Sequence, residues 1–81
     1  MSILKLLGQH TFDVDTTIIL ASAFDGAWLS LQISGSPFAA DDRAAGTRYL
    51  LAQRIIEIAQ HGERDKRRLM DQALAQVVNS T

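Results

Sequence analysis

The chain contains no cysteine, a single proline and few aromatic residues: three Phe, one Tyr and one Trp. The lack of cysteine excludes disulfides and thiolate metal sites, and it is consistent with a reducing compartment. The sequence also lacks the alternation of apolar and polar residues that is typical of strands. We therefore expect an all-α protein whose stability rests on helix packing.

The chain is also nearly neutral, with a formal net charge of −1. Of its 81 residues, 47% are apolar. A nearly neutral chain is not a generally basic nucleic-acid binder, and its apolar share argues against disorder. A domain of this size buries only roughly 60–65% of its unfolded surface. Small domains of this kind often depend on self-association or on a partner.

Long hydrophobic runs are missing too. The longest apolar stretch, Ile18–Ile33, is interrupted by Asp25 and is shorter than a helix that spans a bilayer. The apolar run in residues 3–7 is too short for the core of a signal peptide. We therefore expect a cytoplasmic protein without a membrane span.

Apolar residues recur at spacings of three and four, which predicts a small three-helix bundle formed by one domain. Gly35 and Gly62 are expected to end the first two helices in the left-handed conformation. Gly46 lies inside the second helix, where it would allow a close approach between helices. The predicted boundaries are a single domain over 1–81, a short apolar arm over 1–12, and helices over about 14–34, 37–61 and 65–78.

The helix starts leave two alternatives open. Asp13 or Asp15 caps the first helix, because either carboxylate could accept the unpaired N–H groups of its first turn. Ser36 followed by Pro37 is a typical cap and first-turn proline. The second helix therefore begins at Pro37 or restarts at Asp41.

The first helix carries more apolar residues than one neighbouring helix would cover. Its main stripe is predicted to be Leu20, Phe24, Ala27, Trp28 and Leu31, whereas Ile18, Leu29 and Ile33 lie outside that stripe. Trp28 is either a core anchor or a contact to a partner. The candidate interface therefore consists of Ile18, Trp28, Leu29 and Ile33, with a second copy or another protein as the partner.

A basic segment precedes the third helix, with Arg64, Lys66, Arg67 and Arg68 around Asp65. One interpretation is an anion or nucleic-acid site, because the start of a helix also offers free N–H groups. The other is that Asp65 caps the helix while the cations are solvated or form ion pairs.

The sequence holds little that would support catalysis. Glu57 and His61 share one helix face, but two ligands do not make a zinc site. No nucleophile motif or glycine-rich phosphate loop is present. We therefore expect no enzymatic activity, no catalytic residue, no metal and no cofactor.

Two sequence segments together resemble a pattern in small bacterial all-helical proteins. The first contains Phe12-Asp13 and "AFDGAW" (residues 23–28), and the second is "LAQRIIEIAQHGERDKRRLMDQAL" (residues 51–74). The resemblance implies a short helical domain and brings no activity, ligand or catalytic residue with it. The leading hypothesis is therefore a helical interaction module that self-associates or docks on a protein partner. The alternative is nucleic-acid or polyanion binding through residues 64–68.

Overall fold

Three α-helices and one short 3₁₀-helix form the computed structural model, which describes residues 12–79. In chain order the elements are α1 (Val14–Ile33), the 3₁₀-helix (Pro37–Ala39), α2 (Asp41–Gln60) and α3 (Lys66–Val78). Residues 12–79 contain no strand, so the prediction of an all-α three-helix bundle is confirmed. Of the predicted N-terminal arm, only Phe12 belongs to the described residues, and residues 1–11 lie outside them.

Asp13, rather than Asp15, caps α1. The backbone N–H of Thr16 donates to the Asp13 carboxylate at 2.7 Å, and the Thr17 hydroxyl donates to the Asp13 carbonyl oxygen at 2.9 Å. Asp15 lies in the first turn, where its negative charge suits the positive end of the helix. The choice between the two acids depends on where the backbone leaves its extended conformation, and this occurs after Asp13.

The ends of α1 and α2 share one backbone motif, and both glycine stops were predicted. Gly35 has a φ of 68° and Gly62 a φ of 105°, which are values that glycine adopts without a steric penalty. The N–H of Ser36 donates to the carbonyl oxygen of Leu31 at 3.1 Å. In the same way, the backbone N–H of the residue after Gly62 donates to the carbonyl oxygen of Ile58 at 3.4 Å. These bonds satisfy carbonyl groups that a helix end leaves unpaired.

The second helix begins at Asp41, which is the later of the two starts that the sequence left open, and not at Pro37. Ser36 does act as a cap, but it caps the 3₁₀-helix, since its hydroxyl accepts from the N–H of Phe38 at 3.2 Å. Ala40 then has an extended backbone with ψ at 148°. This extended residue separates the two elements that the sequence-based boundary had merged.

The third helix starts as predicted, with Asp65 as its cap. The Asp65 carboxylate accepts from the N–H of Arg68 at 3.0 Å. The first residue with helical geometry is Lys66.

The core lies between the three helices, and each helix packs against the other two. Of the predicted stripe on α1, Trp28 is only partly buried, although it packs against the core. The other four members of the stripe are buried. The largest completely buried side chains come from all three helices: Leu20, Leu51, Ile55, Leu69 and Val77.

Gly46 does not provide a close approach between helices, so that prediction is wrong. A Cβ atom built on Gly46 meets no atom within 4 Å, and the residue is exposed on α2. The close approach occurs instead at Gly26 on α1, where a Cβ would lie 2.9 Å from the Met70 Cε atom. Spacing does distinguish the two glycines, because Gly26 shares a four-residue spacing with Ser22 and Ser30, whereas Gly46 has no small residue four positions before or after it.

Gly46→Ala should therefore stabilise the protein by about 1 kcal/mol, because alanine loses less backbone entropy in a helix interior. Gly35→Ala is the matched control and should destabilise it by about 1–2 kcal/mol, since a Cβ is strained in the left-handed conformation. Urea unfolding followed by circular dichroism measures both changes. An unstable Gly46→Ala variant would contradict the open environment of this position.

The Asp13 cap also affects the pKa of its own carboxyl group. Hydrogen bonds from Thr16, through its side chain and then through its backbone N–H, lower the pKa of Asp13 below its ordinary value. The positive charge of Arg64 acts in the same direction, and partial desolvation opposes it. The ionised cap is therefore favoured in the folded protein.

This lowered pKa predicts a specific loss of stability in acid. The contribution of an ionised Asp13 is complete above the pKa of the unfolded chain, about 3.9, and is lost as the pH falls through the lower folded-state value. Asp13→Asn keeps a capping oxygen but does not titrate. The stability difference between wild type and variant should be constant from neutral pH to about pH 5 and should shrink below about pH 4. A difference that stays constant in acid would contradict this assignment.

Candidate interaction surface

Four large apolar side chains of α1 face away from the core. Their exposed fractions are 75% for Val14, 61% for Ile18, 53% for Leu29 and 77% for Ile33. At 3.6 residues per turn, these spacings place all four on one side of the helix. We call the side of the helix on which these four residues lie the outer face of α1. The sequence-based interface included three of them and missed Val14, although its position four residues before Ile18 is the signal that would have found it.

Smaller and more polar residues occupy the middle of this same side. Helical spacing puts Ser22 and Asp25 between the two apolar ends. Asp25 is exposed and Ser22 is half-buried. The segment Val14–Ile33 contains two acids, Asp15 and Asp25, and no Lys or Arg. The outer face therefore has two apolar ends, a polar middle and no positive charge of its own.

Trp28 lies at the border between the outer face and the core side of α1. It is half-buried and packs against the core. The guanidinium carbon of Arg48, on α2, lies 5.6 Å from the centre of an indole ring, a distance at which a cation–π attraction operates. Trp28 is therefore engaged in part within its own chain, and its contribution to an interface stays a prediction.

One member of a row of small residues on α1 lies at a contact between helices. Ser22, Gly26 and Ser30 have the four-residue spacing that favours close helix contacts. At Gly26 this contact is made by Met70 of α3. Ser30 is exposed.

Arg64, the first cation of the basic segment, is bound to the end of α2. Its Nη1 donates to the carbonyl oxygen of Ala59 at 2.6 Å and to that of Glu63 at 2.9 Å. The guanidinium carbon also lies 5.8 Å from the centre of the Phe12 ring. Arg64 thus satisfies carbonyl groups at a helix end, which is a structural role that cations fill well.

Of the other three cations, Lys66 and Arg67 line one surface pocket, which the acids Asp65 and Asp71 also line. The Lys66 side chain approaches α1, since its Cε lies 4.0 Å from the position of a Cβ on Gly26. Arg67 forms a loose ion pair with Asp71, with 3.8 Å between Nε and Oδ2. Arg68 is exposed, and successive helical residues do not face each other. The geometry therefore does not gather Arg64, Lys66, Arg67 and Arg68 into one anion-binding site.

Glu57 and His61 do not form a side-chain pair. His61 Nδ1 lies 2.8 Å from the backbone carbonyl oxygen of Glu57, which accepts its hydrogen bond. The Glu57 carboxylate instead accepts from Arg54 Nη1 at 2.6 Å. Within residues 12–79 there is no group of three or more His, Asp or Glu side chains that could hold a metal ion. The expected lack of catalytic residues, metal and cofactor stays a prediction.

α1 is the one helix within residues 12–79 that is long and apolar enough to cross a membrane by length and composition. The sequence-based estimate began at Ile18 and was therefore shorter than the helix, which starts at Val14. A core helix of a soluble protein passes the same test. The expectations of a cytoplasmic protein and of no membrane span stay predictions.

Comparisons of the chain with protein-family models, with curated proteins and with solved structures gave no match. The resemblance to small bacterial helical proteins therefore assigns no role to any residue. Geometry alone leaves the outer face of α1 as the candidate functional surface.

Because the four cations do not form one site, we expect that the protein does not bind nucleic acid. Replacing Lys66, Arg67 and Arg68 together by Gln should leave stability unchanged or slightly raised, because cations are mildly unfavourable near the positive start of a helix. Titration of fluorescent single-stranded and duplex oligonucleotides at low salt should show no binding by wild type. Binding that weakens steeply with salt and disappears in the triple variant would contradict this and support the polyanion alternative.

Proposed function

We propose that this protein is a non-enzymatic helical module that self-associates through the outer face of α1. The observation that carries the proposal is the exposure of four large apolar side chains along one side of a single helix. Single apolar residues are normal on protein surfaces, but large apolar side chains grouped on one side of a helix are typical of an interaction surface. The small core supplies a second reason, because association adds burial that a chain of this size has difficulty providing alone.

Two other candidate partners have less support. A different protein could dock on the same outer face, but the small core gives the chain itself a reason to associate. Polyanion binding through residues 64–68 is less favoured, because Arg64 is bound to the end of α2 and Arg67 is paired with Asp71. Self-association is the proposal that a measurement on the purified chain addresses directly.

Sedimentation equilibrium should give a mass near twice 8.9 kDa at high micromolar concentration. Ile18→Gln combined with Leu29→Gln should weaken association at least about tenfold, because burying each such side chain is worth roughly 1.5–3 kcal/mol when it is complete. The fold should be retained, because both side chains are more than half exposed.

Val78→Gln is the matched control. Val78 is 47% exposed, but it lies on α3 and outside the outer face. This change should leave the association constant unaltered. A wild-type protein that sediments as a strict monomer of 8.9 kDa at high micromolar concentration would overturn the proposed function.

A further inference from the structure

We propose, on the basis of the proposed self-association, that α1 pairs with α1 of a second copy in an antiparallel arrangement about a two-fold axis. The axis passes α1 between Ala23 and Phe24, the midpoint of Val14–Ile33. A two-fold interface uses the same surface on both copies, so the surface must be complementary to itself. The outer face meets this requirement in its spacing and in its charges.

The apolar residues are spaced symmetrically about this midpoint. Val14 lies as far before it as Ile33 lies after it, and the same holds for Ile18 and Leu29. In an antiparallel pair, Val14 therefore lies opposite Ile33 of the second copy and Ile18 lies opposite Leu29. Each of the four apolar residues thus meets an apolar residue, and the most exposed side chains, Val14 and Ile33, cover each other.

The polar middle follows the same symmetry. Ser22 lies opposite Asp25 of the second copy, so a hydroxyl group that donates meets a carboxylate that accepts. Asp15 likewise lies at the level of Gln32, whose amide also donates. Groups that donate therefore lie beside the two acids of α1.

A parallel pair would place equal residues side by side. Asp15 would meet Asp15 and Asp25 would meet Asp25, and α1 contains no cation to compensate them. Like charges that face each other are destabilising. Charge therefore favours the antiparallel arrangement over the parallel one.

The contact between the two copies extends over the whole length of α1. A helix of 20 residues is about 30 Å long, and the outer face runs from its first residue, Val14, to its last, Ile33. Two copies would bury eight large apolar side chains, and specific interfaces begin at about 1,000 Å² of buried surface. Because a two-fold pair is closed, association stops at the dimer and does not continue into filaments.

Disulfide trapping tests the arrangement cleanly, because the natural chain has no cysteine. Val14→Cys and Ile33→Cys are made as separate single variants, oxidised alone and as a mixture, and analysed by mass spectrometry. We expect a mixed disulfide between the two variants and none from either alone. In the antiparallel pair, the two copies of position 14 are separated by about 28 Å along the axis, whereas a disulfide needs Cα atoms within about 7 Å.

A second pair of cysteine variants and a matched control ensure that the result does not depend on one pair of positions. Ile18→Cys mixed with Leu29→Cys should also give the mixed disulfide. Ser30→Cys is the control, because Ser30 is exposed on α1 but lies about 100° around the helix from Leu29. It should not crosslink with any of the other variants.

The outcomes separate this inference from the proposed function. A dimer by sedimentation that gives disulfides from Val14→Cys alone is parallel, which overturns the arrangement and leaves self-association intact. A monomer at high micromolar concentration overturns both. A monomer that floats with phosphatidylcholine–phosphatidylglycerol vesicles also overturns both, and it assigns the outer face to lipid.

Discussion

Burial of one side of α1 against both α2 and α3 is the constraint on which the rest of the structure depends. Leu20 is completely buried on this side, and the Gly26 contact with Met70 brings α3 close. In a three-helix bundle each helix has two neighbours, which together cover one side of it. α1 carries apolar residues around more of its circumference than two neighbours cover, so an exposed apolar outer face follows from the architecture itself.

Features of the fold that depend on a few consecutive residues could be predicted from the sequence. Gly35 and Gly62 end their helices because a left-handed residue is required there, and this requirement is local. Asp65 caps α3 for an equally local reason. The alternatives left open at Asp13 and at Pro37 differed by only a few residues, and backbone conformation at single positions decided them. The three-helix architecture followed from these stops together with the apolar spacing.

Features that depend on contacts between distant residues could not be predicted in the same way. A run of cations in the sequence indicates a basic patch, but Arg64 bends back to the Ala59 carbonyl group on α2. Lys66 and Arg67 line a pocket that acids line as well. Gly26 and Gly46 both lie inside a helix, yet Gly26 faces another helix and Gly46 does not. The outer face of α1 was found largely by spacing, because a side that lies opposite the core stripe is itself set by helical periodicity.

An exposed apolar helix face could be covered by a lipid bilayer or by a second copy of the chain. The position of Asp25 favours the second copy. Asp25 lies near the middle of α1, and a carboxylate at the centre of a bilayer-spanning helix costs about 2.5–3.5 kcal/mol. In the proposed antiparallel pair, the same residue lies opposite the hydroxyl group of Ser22, which can donate to it. Pairing would also stabilise the fold, since binding only to the native state raises its free energy of unfolding with concentration. One contact would therefore cover the outer face, accommodate the acid in its middle and support a small core.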